Sequence, residues 1–152
     1  MTQKYRIGDT RVIESRELGD GTTIRRRRET LDGKHRFTTY ERIEKPNLAI
    51  IKKDGSRELF DRNKLFGAIH RSVGKFLSSD LEVEEIVSIV EETLYADGES
   101  EIPSSRVGDI VLEELLRRNE VAYVRFASVY QEFKTVDEFR NALNKIEEQH
   151  KK

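Results

Sequence analysis

Lys52-Lys53-Asp54-Gly55-Ser56-Arg57-Glu58-Leu59-Phe60-Asp61-Arg62-Asn63-Lys64-Leu65 is the stretch whose reading decides the fold. Asp54-Gly55 predicts a two-residue type I′ turn, because both central positions of that turn take positive φ. Leu48-Ala49-Ile50-Ile51-Lys52-Lys53 and Ser56-Arg57-Glu58-Leu59-Phe60 flank the pair as strands. Asp61 then supplies a capping oxygen, and Leu65, Phe66, Ile69, Val73, Phe76 and Leu77 recur with the period of a helix. A β-hairpin that runs straight into a helix follows.

Toward the carboxyl end, apolar periodicity predicts helices over 83–96, 105–118 and 120–133. Asp97-Gly98 and Asn119 stop the first two. Thr135-Val136-Asp137-Glu138 is a capping box that opens a last helix through Phe139, Ala142, Leu143 and Ile146. Toward the amino end, Pro46-Asn47 marks a junction. Before it lie short strands around Arg11–Ser15, Thr22–Ile24 with the arginines that follow, and Arg36–Tyr40, punctuated by Gly19-Asp20-Gly21 and Asp32-Gly33. The fold class is therefore α+β: a small β-rich, ribbon-like amino-terminal module followed by a β-hairpin and a helical bundle.

Of 152 residues, 38% are charged and 36% hydrophobic, which limits the core and suits two compact units. The net charge of −1 hides an asymmetry: residues 1–46 carry 12 Lys/Arg against 8 Asp/Glu, leaving 16 against 21 for the remainder. A basic half and an acidic half have different partners. The absence of cysteine excludes disulfides, thiolate metal sites and a cysteine nucleophile. No apolar run approaches the roughly 20 residues of a membrane span, and Met1–Arg6 lacks an export signal's apolar region, so a cytoplasmic location is expected. The apolar inventory of the first module is thin, and modules of that size usually lean on a metal, a disulfide or another surface.

Two segments carry chemistry. Ile24-Arg25-Arg26-Arg27-Arg28-Glu29 with Arg36-Phe37-Thr38-Thr39-Tyr40-Glu41-Arg42 joins cations and aromatics in one hairpin-like segment, as a nucleic-acid backbone requires. On a strand the arginines alternate between faces, so two can meet phosphates while two pair with Glu14, Glu17 or Glu29. The plainer reading is a solvated, salt-bridged strand. In the hairpin segment, Lys52, Lys53 and Lys64 offer cations for phosphates, Glu58 an acceptor for a base, and Phe60 with Leu65 an apolar wall. Lys64 falls in the first turn of its helix, where the dipole also favours an anion. An ordinary hairpin with exposed charges is the alternative, and neither common glycine-rich phosphate loop is present. His35, His70 and His150 have no metal-like spacing, and no catalytic constellation stands out.

The chain as a whole resembles the NrdR family of bacterial repressors of ribonucleotide reductase operons. The resemblance rests on Asp9–Arg16, Asp20–Glu29, Arg36–Arg42, the hairpin from Lys52 to Leu65, and Glu120-Val121-Ala122-Tyr123-Val124-Arg125-Phe126-Ala127-Ser128-Val129-Tyr130. It implies a DNA-binding ribbon over 1–46, an ATP-cone domain over 47–137 and a carboxy-terminal helix and tail over 138–152. It further implies ATP or dATP, with Mg2+, as ligands, double-stranded operator DNA as partner, and a homo-oligomer whose state follows the nucleotide. The nucleotide residues so implied are Lys52, Lys53, Glu58, Phe60, Lys64, Leu65, Ser104 and Tyr130. Those implied for DNA are Arg25, Arg26, Arg27, Arg28, Arg36 and Tyr40, with Arg125 and Lys134 as lesser phosphate candidates. The family's ribbon holds zinc with two cysteine pairs, whose matching positions here are Gln3, Arg6, Thr30 and Gly33, so no zinc is expected. A chain that keeps nucleotide sensing or a protein partner but has lost DNA binding is the alternative.

Overall fold

At Asp54-Gly55 the loop differs from the turn expected of that pair. The Lys52 N–H donates to the Ser56 carbonyl at 2.8 Å and the Gly55 N–H to the Lys52 carbonyl at 2.9 Å. Gly55 has φ +83° while Asp54 keeps a negative φ, so the type I′ turn is corrected to a three-residue loop with glycine in the left-handed position. Asp54 is spent locally: its Oδ1 accepts from the Ser56 N–H at 2.9 Å and from the Ser56 hydroxyl at 2.6 Å.

The computed structural model describes residues 5–19 and 21–152. Asp20, in the turn expected between Gly19 and Gly21, and Gln3 lie outside the described residues. The chain divides into two compact units, Met1–Pro46 and Asn47–Lys152.

In the second unit, β4 (Ala49–Ile51) pairs antiparallel with β5 (Arg57–Leu59) and parallel with β6 (Glu101–Pro103). No local signal in the sequence marks β6. Arg57 reaches Glu101 across β4 at 2.7 Å. The Asp61 carboxylate caps α1 (Arg62–Val73), accepting from the Asn63 and Lys64 N–H groups. Helices α2 (Asp80–Ala96), α3 (Ser104–Arg118), α4 (Glu120–Tyr130) and α5 (Val136–His150) follow. Leu48, just ahead of β4, and Ile50 and Ile102 from the sheet join Ile69, Ile86, Val111, Leu115, Ala142 and Ile146 in one buried cluster, so α5 shares the core of α1–α4. The capping box at Thr135 and Glu138 is formed.

Helix α2 begins three residues earlier than its periodicity suggested. The Ser78 N–H and hydroxyl both donate to Glu82 at 2.8 Å and fix that turn. Helix α4 stops at Tyr130 rather than at Phe133. The Phe133 N–H returns to the Ser128 carbonyl at 2.9 Å and the Glu132 N–H to Val129 at 3.3 Å, with Glu132 at φ +53°. This is a Schellman stop built on a residue other than glycine, so its usual marker is missing from the sequence. Glu132→Gly is expected to raise stability by roughly 1 kcal/mol, since glycine adopts that conformation without steric cost. An unchanged or lower Tm would refute the assignment of strain.

In the first unit, β1 (Thr10–Leu18), β2 (Thr23–Thr30) and β3 (Arg36–Arg42) form an antiparallel meander with β2 in the centre. The β1–β2 register shifts between Val12 and Glu14, which makes Ile13 the extra residue of a bulge. The bulge brings Arg11 and Arg16, which would face opposite ways on a regular strand, onto one face. Among the described residues of this unit only Thr23 and Glu29 are buried. Ile7, Val12, Ile13 and Leu31 are exposed, so hydrogen-bonded ladders and ion pairs, not an apolar core, hold the sheet. Arg11 at 2.7 Å and Arg36 at 3.0 Å clamp Glu29 from the two neighbouring strands. Arg11 first, then Arg36, holds the Glu29 carboxyl below the usual carboxylate range.

Candidate functional site

The second unit holds an open cleft of about 260 Å3 beside the hairpin, walled by α1, α3 and α4. Seven residues singled out from the sequence line it: Lys52, Glu58, Phe60, Lys64, Leu65, Ser104 and Tyr130. Lys53 does not; it sits exposed on the hairpin loop. The hairpin and the helix it enters converge on Glu58. Lys52 Nζ lies 2.8 Å and Lys64 Nζ 2.9 Å from its carboxylate. Lys52 first, then Lys64, keeps the Glu58 carboxyl below its ordinary range. Two ammonium groups thus share one carboxylate at the cavity mouth, at the N-terminal end of α1.

The floor is apolar. Phe126 and Tyr130 stack at 5.7 Å between ring centres, and Val107, Val111 and Ala68 complete the surface. The Tyr130 hydroxyl donates to the Ser105 carbonyl at 3.1 Å; burial first, with Asp109 nearby, pushes its pKa up. The ring lies across α3 only because residue 108 is glycine: a Cβ there would come within 2.0 Å of Tyr130 Cζ. Gly108, Val107, Val111 and Phe126 are cavity residues that the sequence reading missed, and a glycine in mid-helix was the one available signal. A cleft with two convertible cations and a flat apolar floor suits a planar base bearing phosphates. It presents no nucleophile or base constellation.

In the first unit, strand register sorts the arginines. Arg25 pairs with Arg16 and Tyr40, Arg27 with Glu14 and Thr38, and Glu29 with Arg11 and Arg36. Directly paired residues share a face. One face therefore carries Arg11, Arg16, Arg25, Arg27, Arg36 and Arg42 against Glu14 and Glu29. Arg42 also lies 4.5 Å over the Tyr40 ring. The opposite face carries Arg26 and Arg28 with Glu17, Glu41, Val12, Ile24 and Phe37. The expected pairing of the run with Glu14, Glu17 or Glu29 is corrected: Arg26 meets Glu41 at 3.0 Å, Arg27 and Arg28 bond the hydroxyls of Thr38 and Thr10, and Glu29 is taken by Arg11 and Arg36.

Residues 48–136 match the ATP cone domain family, and residues 6–41 match the zinc-ribbon family described as the transcriptional repressor NrdR-like N-terminal domain. The transcriptional repressor NrdR of Petrotoga mobilis is 51% identical over 138 residues, covering 91% of this chain and 92% of its own. That of Streptococcus sanguinis is 48% identical over 141 residues, covering 93% and 90%. The chain belongs to the NrdR family. NrdR proteins are transcriptional repressors rather than enzymes, and the α+β architecture, with a ribbon-like module ahead of an ATP cone, is that of the family.

The zinc that an NrdR ribbon implies does not fit the residues present. Of the positions expected from the sequence to stand in place of the cysteines, Arg6 is a cation, Gly33 has no side chain, and the Thr30 hydroxyl donates to Asp32 at 2.5 Å while accepting from the His35 N–H at 3.2 Å. Among the described residues no group of three or more His, Cys, Asp and Glu could hold a metal. A structural zinc can contribute ~10 kcal/mol or more to such a module. An adenine nucleotide does fit the cleft, whose lysines and aromatic floor supply what phosphates and a base need.

Proposed function

We propose that this chain is a nucleotide-responsive repressor that grips double-stranded operator DNA of ribonucleotide reductase genes, inside the cell, with its cationic sheet face. ATP or dATP, carried with Mg2+, binds the cleft. Lys52 and Lys64, now paired with Glu58, would hold the phosphates, Glu58 would be free to accept from the adenine amine, and Phe60, Leu65 and the Tyr130 ring would wall the base. The Ser104 end of α3 lies at the same cavity. The nucleotide selects among homo-oligomeric assemblies, and shifts them only as far as it prefers one over another. One observation carries this reading: a family member unites a cleft with two lysines on one carboxylate and a sheet with six arginines on one face.

Lys64→Ala tests the cleft. Losing a charge-assisted contact is expected to weaken ATP and dATP binding about 10- to 100-fold by calorimetry, with helical circular dichroism unchanged. Undiminished affinity would refute the assignment. A second reading, nucleotide sensing without DNA binding, draws support from the absence of a buried apolar side chain among the described residues of the first unit. A gel shift on reductase-promoter DNA, with and without dATP, separates the two.

A further inference from the structure

We infer that the ribbon module of this chain folds without any metal, its first described segment clasped to the third strand by the Tyr5 ring. In a zinc ribbon the metal joins two short segments that are far apart in sequence. Here the segments set against them run through Tyr5-Arg6 and through Thr30–Gly33; the Tyr5 ring holds the first to His35 and Phe37, just beyond the second, and needs no ion.

Tyr5 stacks on Phe37 with ring centres 5.2 Å apart and planes 6° from parallel, and its ring also lies 5.5 Å from that of His35. Phe37 belongs to β3 and His35 closes the turn before it, so one aromatic side chain pins the start of the module to its last strand. Offset and parallel aromatic pairs are attractive beyond the area they bury. The chain leaving Tyr5 is fixed in turn, with the Asp9 N–H on the Arg6 carbonyl at 3.1 Å and the Thr10 hydroxyl on Ile7 at 2.6 Å.

The second turn is self-sufficient. The Thr30 N–H donates to the His35 carbonyl at 2.9 Å and the Gly33 N–H to the Thr30 carbonyl at 2.8 Å. Asp32 Oδ1 accepts from the Thr30 hydroxyl and, at 3.0 Å, from the Lys34 N–H. Gly33 takes φ +72°, which lets the turn close without strain. The Thr30 hydroxyl first, then the Lys34 N–H, holds the Asp32 carboxyl below its ordinary range, so the turn keeps its acceptor at neutral pH. Where the resemblance sets two thiolates, this chain has a hydrogen-bonded turn. The functional consequence is independence from zinc supply and from thiol oxidants, since the sequence has no thiol to oxidise.

The test uses the full chain, purified throughout in chelator, with zinc measured by mass spectrometry and hydrogen exchange followed along β1–β3. Zinc well below one atom per chain, with ladder protection unchanged by chelator or hydrogen peroxide, is expected. Stoichiometric zinc, or protection lost on chelation, overturns the inference. Tyr5→Ala is expected to speed exchange in the β2–β3 ladder by about tenfold or more, while Tyr5→Phe keeps it slow and ATP binding in the second unit is unaltered in both. Full protection in Tyr5→Ala overturns the clasp. The inference rests on the repressor reading only for its consequence: a protected ladder in chelator that fails to shift operator DNA supports the metal-free fold and counts against DNA binding.

Discussion

Replacing Arg25 and Arg27 together with alanine is expected to lower operator affinity about 30-fold at ~0.15 M salt and to flatten the log–log salt dependence by about two. Both side chains lie on the face that also carries Arg11, Arg16, Arg36 and Arg42, with Glu14 and Glu29 as its carboxylates. Each phosphate contact contributes about 0.9 to the salt slope through counterion release, and two lost contacts compound at physiological salt to the stated loss. The control is the other pair of the same run. Arg26 is held by Glu41 at 3.0 Å, and Arg28 bonds Thr10 while its Nε is buried without a hydrogen-bond partner among the described residues. Arg26→Ala with Arg28→Ala should leave the slope within about half a contact and lower the stability of the sheet instead. Equal slopes for the two double variants, measured by salt-titrated gel shift, would rule out the assigned face.

That sorting of neighbouring arginines marks the limit of what the sequence says by itself. Local chemistry was readable. Asp61 announced the α1 cap, and Thr135 with Glu138 the start of α5, because each depends on residues within a few positions of one another. Long-range pairing was not. The strand β6 has three residues and exists because Ile102 fills the core beside Ile50 on a parallel neighbour, which no local period encodes. The bulge at Ile13 likewise decides which arginines share a face, and it is visible only as a register shift against β2. Lys53 looked equivalent to Lys52 by composition, yet the loop leaves it outside the cavity. Glu132 ended α4 without the glycine that would have advertised the stop.

Gly108→Ala is expected to destabilise the second unit by roughly 1–3 kcal/mol, the range of an overpacked core, and to lower its Tm by several degrees. Alanine in the middle of a helix would on propensity alone gain about 1 kcal/mol over glycine, so the sign depends on which effect is larger. Here a Cβ would sit 2.0 Å from Tyr130 Cζ, 2.3 Å from its hydroxyl oxygen and 2.5 Å from Cε1, and these belong to a rigid ring packed against Phe126 rather than to a flexible chain end. Either α3 and α4 separate or the ring leaves the cleft and gives up its bond to the Ser105 carbonyl, and both outcomes cost more than propensity returns. Moving the ring also removes one wall of the cavity, so ATP affinity should fall in the same variant. The decisive comparison is a double-mutant cycle with Tyr130→Leu, which removes the clashing atoms. The alanine should then be neutral or stabilising, giving a coupling energy of about 1–3 kcal/mol between the two positions. Calorimetric scans in which Gly108→Ala alone melts at or above the parent temperature would show that the ring is not wedged against α3 in solution.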